Sequence, residues 1–331
     1  TVKVKHLEEV GSSLIEIFDQ VDSGAQKMFA APPTAFWIKG QPQPFGILLV
    51  SGIPFGFSAD EFLAWYYEAG GQDLVQGIFD RESEHANVMV LPLAVTSTEP
   101  PGFFIDAIPD DPDAFNASGI TYRINFLGSM AMRAAFPNLN MVTTPAGVVP
   151  VDDLCTGKIH GAELGTLSHY QHFFFDNFSH ANGDNIVECG FKHLYLSSWQ
   201  QLMLASWLAI DREFFELLRP HEQQAILSAS QSHLTRSFAA DIAGGAQALN
   251  RLVNAGATIH ASLPPKILAR LREKTAEIID REAAHDPNFA QIIGSMKKFA
   301  KTNQAALIHE GIPQNQRFNL FPGWGADLLS D

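Results

Sequence analysis

Residues 119–128, Gly-Ile-Thr-Tyr-Arg-Ile-Asn-Phe-Leu-Gly, and residues 157–163, Gly-Lys-Ile-His-Gly-Ala-Glu, decide the fold. In the first, a short extended run from Ile120 to Ile124 carries Arg123 and gives way to a helical pattern around Ser129 to Phe136; a further short strand is expected near Asn140 to Thr143. An arginine where a strand runs out stands at the usual ligand position of an open α/β sheet. Its guanidinium is a permanently charged, planar fork that can hold a carboxylate through two parallel hydrogen bonds. In the second stretch Glu163 follows Gly161-Ala162, small residues that let backbone come close to a ligand.

Working outward, the N-terminal part alternates strand and helix. Val2 to Leu7 reads as extended, Ser12 to Val21 as helix stopped by Ser23-Gly24, and Gln26 to Ala31 as extended again. After Pro54-Phe55-Gly56, Ser58 is a good N-cap with Glu61 at the capping-box position, so a helix bearing Phe62, Leu63, Trp65 and Tyr66 is expected, ending at Gly70-Gly71. Asn87 to Val95 reads as a buried strand, and Thr96 to Gly102, with Pro100-Pro101, as a linker. The alternation then repeats, which predicts a second α/β lobe. Ile186 to Leu196 and Leu204 to Ile210 read as extended. Beyond Asp211 the character is helical: Pro220 to Leu252 with a break near Gly244-Gly245, a second helix from Pro264-Pro265 through Ala284, and a third from Asp286-Pro287 to about Ile308. The tail, Gly311 to Asp331, reads as irregular.

The chain has 331 residues, 46% of them hydrophobic, enough to bury full cores in two lobes. Its 22 Lys+Arg stand against 36 Asp+Glu, a formal charge of -14, a field that disfavours nucleic acid and anionic membrane surfaces. An anionic ligand therefore needs a local cation. No run reaches the ~20 apolar residues of a membrane span, and the N-terminus lacks the basic-then-apolar layout of a signal peptide, so any export signal is expected to have been removed. Cys155 and Cys189 are the only cysteines, open to a single bridge or to two buried thiols. His169 and His172 lack the spacing of a zinc hydrolase, and no nucleophile elbow, phosphate loop or dinucleotide fingerprint occurs.

The order of segments resembles the solute-binding proteins of TRAP (tripartite ATP-independent periplasmic) transporters from about Val2 to Phe299. The residues that carry this are Pro54-Phe55-Gly56 with its aromatic helix and Gly70-Gly71, Pro100-Pro101-Gly102-Phe103-Phe104, the two opening stretches, Val148-Val149-Pro150, Ser198-Trp199-Gln200-Gln201 and Leu218-Arg219-Pro220. The resemblance implies a periplasmic-binding-protein fold of type II kind, two α/β lobes hinged about a cleft, with a long C-terminal helix bracing both. Its expected division is 1–98 for lobe I, 99–200 for lobe II, 201–310 for the return to lobe I and the long helices, and 311–331 for the tail. It implies an extracytoplasmic, periplasmic receptor that captures a small carboxylate for TRAP-type membrane transporter subunits and is not an enzyme.

For the site, the resemblance implies Arg123 gripping the carboxylate, with Glu163, Trp199 and Gln201 around it and Phe36 and Trp37 facing the cleft. In metal-carrying relatives the residue matching Glu163 and the next residue's carbonyl, here Leu164, are ligands, and hard oxygen donors suit Na+ or Ca2+. Two departures stand out. Leu164 replaces an aromatic, and Glu99 falls where metal-binding relatives carry glutamine, so Glu99 either joins Glu163 and Leu164 in holding an ion, accepts from a donor on the ligand, or is a solvated linker acid. Relatives begin with a strand and helix before the segment matching Val2 to Leu7. Two expectations follow: either the sequence is truncated, or something replaces the strand, such as the tail around Phe318 to Phe321 folding back or exchanging in a homodimer. The rival readings are a ligand-binding sensor and an enzyme on a similar scaffold, for which His160 or His169 would be the base.

Overall fold

The computed structural model describes residues 14–31, 52–81, 87–144, 149–176, 178, 180–181, 183–197 and 199–309. The expected strand at Val2 to Leu7, Phe36, Trp37, Val148, Ser198 and the tail beyond Gly311 lie outside them.

Helix α1 (Leu14–Asp22) leads into β1 (Met28–Ala31). Helix α2 (Ala59–Glu68) starts at the capping box read from the sequence, with Ser58 and Glu61 bonded reciprocally. The helix ends at Gly70-Gly71 as expected, with Ala69 as its C-cap. The Trp65 ring and Tyr66 backbone stand where a side chain on residue 71 would go, so the chain bends there and resumes as α3 (Gly71–Arg81) before β2 (Val88–Val95). The second series runs β3 (Gly102–Phe104), α4 (Pro112–Ala117), β4 (Thr121–Arg123), α5 (Phe126–Ala135), β5 (Asn140–Val142), α6 (Val151–Cys155), β6 (Gly161–Ala162) and α7 (Leu167–Gln171), which passes into a π-helical turn, His172–Asp176. Then come β7 (His193–Ser197), β8 (Ala205–Asp211), α8 (Arg212–Leu217), α9 (Pro220–Asn254), β9 (Thr258–Ser262), α10 (Pro265–His285) and α11 (Pro287–His309).

Two sheets result. One has the order β1-β8-β2, antiparallel throughout. The other has the order β5-β4-β6-β3-β7-β9, in which β4 runs parallel to both β5 and β6. A core cluster built on Trp65, Trp207 and Phe62 covers the first sheet and continues through Phe104, Tyr122 and Tyr195 over one face of the second, and one built on Phe103, Tyr170, Phe174 and Leu194 lies on the second sheet's other face. The extended run expected from Ile186 is shorter, because residues 184–190 turn. Cys189 is tied to Cys155, and Asn185 draws the Val187 N–H back onto its side chain at 3.0 Å. Only from His193 does the chain become strand. β9 went unread in the sequence, and its pairing with β7 puts residues 258–262 in the second sheet, whereas the segment 201–310 was expected to return to the first lobe.

The lobes join through two crossings that lie side by side: Thr96 N–H donates to Leu204 O (3.0 Å) and Glu99 N–H to Gln201 O (3.0 Å). Over both runs α9, 35 residues and so roughly 50 Å long. It is unbroken at Gly244-Gly245, contrary to expectation. The two glycines instead admit α7: a side chain on Gly244 would stand 3.0 Å from Ser168 Cβ, and one on Gly245 3.2 Å from Leu167 Cβ. One end of α9 touches the first lobe, where Ser230 Oγ donates to Pro92 O at 2.7 Å, and the other touches the second, where Arg251 meets Asp176 at 2.8 Å.

Candidate functional site: a buried arginine at three strand ends

Strands β4, β5 and β6 are parallel and in register, Arg123 opposite Val142 and Ala162, so their carboxyl ends reach the same edge together. That edge is where open α/β sheets bind ligands. Arg123 is the last residue of β4, Thr144 follows β5 by two residues, and Glu163 follows β6. Arg123 and Glu163 are 5% and 4% exposed, so Arg123 is not a surface arginine. Its Nη1 donates to Glu163 Oε2 at 3.0 Å and to the Glu163 carbonyl, and its Nε donates to Thr144 Oγ1 at 3.0 Å. Among the described residues Nη2 donates to none.

Glu99 is 3% exposed, which removes the solvated-acid reading. Burial, then the charge of Glu163 and a side-chain hydrogen bond to it, push its carboxyl well above the usual carboxylate range, while Arg123 opposes the shift. A carboxyl in that state keeps its proton and gives it to a hydrogen bond with Glu163. Tyr122 and Tyr170 flank the pair. Burial raises both hydroxyls, and Glu163 raises them further. Glu163 Oε1 accepts from Gly165 N–H at 2.9 Å, which closes the loop that leads into α7.

Trp199 is fully buried, its ring centroid 5.9 Å from that of Phe55 and its carbonyl accepting the Phe55 N–H at 2.6 Å. Phe55 holds a left-handed backbone, φ 58°, strained for a residue with a side chain. The Gln201 side chain lies against Gly52, where an added Cβ would stand 2.9 Å from Nε2. Leu164 turns into the second core with Phe103 and Tyr170. The histidines named as candidate bases serve the backbone: His160 Nδ1 accepts from Thr121 N–H (3.0 Å) and His169 Nδ1 from Thr166 N–H (3.1 Å). Burial also pushes His169 down, keeping it neutral. His180 lies beside Cys155 and Cys189, but the two sulfurs are bonded to each other and offer no thiolate.

Three participants escaped the sequence reading. Thr144 could have been found as a hydroxyl just past a third parallel strand. Gln200, which donates to Pro100 O at 3.0 Å, sat beside two residues that were named. Asp241, a lone charge among Ala239, Ala240, Ala243 and two glycines, carries a signal only once α7 is known to pack against the helix there.

No protein-family model matches the chain. A monocarboxylate 2-oxoacid-binding periplasmic protein of a Nostoc strain is 23% identical over 300 residues, 87% of this chain and 71% of that protein. Among solved structures, a TRAP periplasmic solute-binding protein from Pseudoalteromonas atlantica, with bound sodium and pyruvate, superposes with a TM-score of 0.70 at 19% identity over 90% of this chain and 85% of its own. One from Colwellia psychrerythraea, with bound calcium and pyruvate, gives 0.68 at 18% over the same shares. The fold is that of the two-lobed periplasmic solute-binding proteins. Within that class it is the fold of the solute-binding proteins of TRAP transporters, the family its landmarks resemble. Among the described residues no helix is long and apolar enough to cross a membrane.

Proposed function

We propose that this chain is a periplasmic receptor, a binding protein and not an enzyme, that captures a small organic carboxylate between its lobes and delivers it to TRAP-type membrane subunits. The observation that carries the reading is Arg123, a buried cation at the converging ends of three parallel strands in a chain of charge -14. With Nη1 and Nε engaged by Glu163 and Thr144, the Nη2 edge is the part of the guanidinium turned to a ligand carboxylate. A charge-assisted bond in so dry a site is stronger than a neutral one. Gln201 and Trp199, on the crossing beside Glu99, complete the wall. The cysteine bridge agrees with an oxidising compartment.

The buried oxygens of Glu99 and Glu163 are hard donors that fit sodium or calcium. A cation there would take the place of the proton that Glu99 gives to Glu163 and would balance the charge that an incoming carboxylate adds. Glu99 and Glu163 are the residues that would hold it, with the Leu164 carbonyl as third donor by analogy.

The test is a melting-temperature panel of pyruvate, lactate, 2-oxobutyrate, succinate, picolinate and glucuronate, each with and without calcium, followed by calorimetry on those that stabilise. A ligand at ~100 times its dissociation constant adds about 2.7 kcal/mol, a rise of several degrees. Arg123→Lys keeps the charge and loses the fork, so affinity for the best acid should fall at least about tenfold. Unchanged affinity in that variant overturns the assignment of Arg123.

A further inference from the structure

One carboxylate outside the ligand site ties its parts together. Asp241 lies on α9, and each of its oxygens serves a different segment. Oδ2 accepts from Ser97 N–H at 2.7 Å and from Ser97 Oγ at 2.6 Å. Oδ1 accepts from Thr166 Oγ1 at 2.7 Å and from Ser168 Oγ. Ser97 sits in the first interlobe crossing, two residues before Glu99. Thr166, fully buried, follows Glu163 by three residues across Gly165, whose φ of 104° is open to glycine and leaves the loop with little stiffness of its own. The Gly244-Gly245 contact with α7 brings the helix near enough for this reach. Burial raises the Asp241 carboxyl, but the hydroxyls of Ser168, Ser97 and Thr166 and the Ser97 N–H outweigh it and hold the group ionised, as an acceptor of four bonds must be.

We infer that Asp241 is a positioning residue for carboxylate capture: by fixing Ser97 and Thr166 at once, it sets the distance between the Glu99 crossing and the Glu163 loop, and so the geometry of Glu99, Glu163 and Arg123. It acts through those groups. Because α9 is also fastened to the first lobe at Pro92, the same carboxylate couples the binding loop to the hinge. A filler in the helix interface would stabilise the protein without altering a site whose groups stayed in place. A positioning residue changes affinity in protein that is still folded.

The inference rests on the receptor reading above, and the experiment separates the two. Wild type, Asp241→Ala, Asp241→Asn and the double variant Thr166→Val/Ser168→Ala are titrated by calorimetry with each of the six acids, at a temperature well below every ligand-free melting midpoint. Asp241→Ala should weaken the best acid at least about tenfold. Asp241→Asn should recover most of that affinity, because its carbonyl can take the Ser97 donors while the Thr166 and Ser168 hydroxyls reverse and accept from the amide. The double variant, which leaves the bonds to Ser97 intact, should weaken binding several-fold and keeps the question answerable if Asp241→Ala does not fold. Wild-type affinity in Asp241→Ala or in the double variant overturns the inference, as does an Asp241→Asn variant no better than Ala. If wild type binds none of the acids, the receptor reading fails first and the inference falls with it.

Discussion

Glu99 sets two acids side by side in the protein interior, and its protonation has a cost that can be read against pH. The native carboxyl holds its proton well above the ordinary value of 4.5, whereas in the unfolded chain it would lose it near that value. Between the two the native state binds more protons, so this group's contribution lowers stability as pH rises from about 4.5 toward the native value. Glu99→Gln keeps the shape and donates to Glu163 without a proton to lose. Its ligand-free melting midpoint should therefore exceed wild type at pH 8, by about 2 to 4 °C for each kcal/mol relieved, and the gain should shrink at pH 5. An equal gain at both values would show that Glu99 is ionised in the native protein. Residues of this kind divide in how far the sequence discloses them. Arg123 could be named because it ends a strand visible as a short extended run, and Glu163 because it follows the small pair Gly161-Ala162 in a stretch that resembles the family's. The burial of Glu99 could not, since it follows from the pairing of Glu99 N–H with Gln201 O, between segments a hundred residues apart.

At the scale of elements the site depends on how closely β6 approaches β3. Gly161 in β6 faces Phe104, whose ring occupies the space a Cβ would need, and that ring is packed in turn on Tyr122 and Tyr195 with centroids 5.1 and 5.7 Å away. Gly102 at the start of β3 has φ 146°, and a Cβ there would lie 2.7 Å from Ala162 O. Two strands thus meet on glycine, immediately before Glu163. Gly161→Ala overpacks this contact, at a cost of about 1 to 3 kcal/mol. A melting midpoint lowered by several degrees, with weakened carboxylate binding, is the expected result, and a midpoint equal to wild type would mean that Phe104 moves aside freely. The existence and type of elements with local signals, such as the capping box at Ser58 and the proline-opened α9 and α10, were legible. Gly244-Gly245 misled because a helix interior tolerates glycine when another element needs the room, and nothing local says so. β9 was hidden for a related reason: its strand character comes from the partner β7 rather than from its own short run.

Across the whole molecule, the two lobes are fastened differently. An aromatic core runs through both, while the second also carries the Cys155–Cys189 bridge, which links α6 to the turn before β7 over a separation of 34 residues. The two ends it joins flank α7, the Glu163 loop and the π-helical turn, so closing this loop restricts the unfolded chain in the part of the lobe that feeds the site. Sequence alone left the two cysteines open between a bridge and free thiols, since proximity across 34 residues is a property of the folded sheet. Loss of such a cross-link typically costs about 2 to 5 kcal/mol, which in a protein of this size lowers the midpoint by about 2 to 4 °C per kcal/mol. Cys155→Ser/Cys189→Ser should therefore melt several degrees or more below wild type under non-reducing conditions. Reductant should lower the wild-type midpoint toward that of the variant and leave the variant unmoved. Arg123, Thr144 and the paired crossings do not depend on the bridge, so carboxylate affinity well below the lowered midpoint should stay within a few-fold of wild type. A variant that melts with wild type would place the stability of the second lobe in its apolar core. A variant that melts lower and has also lost the ligand would show that the bridge holds the Glu163 loop in place as well as the lobe.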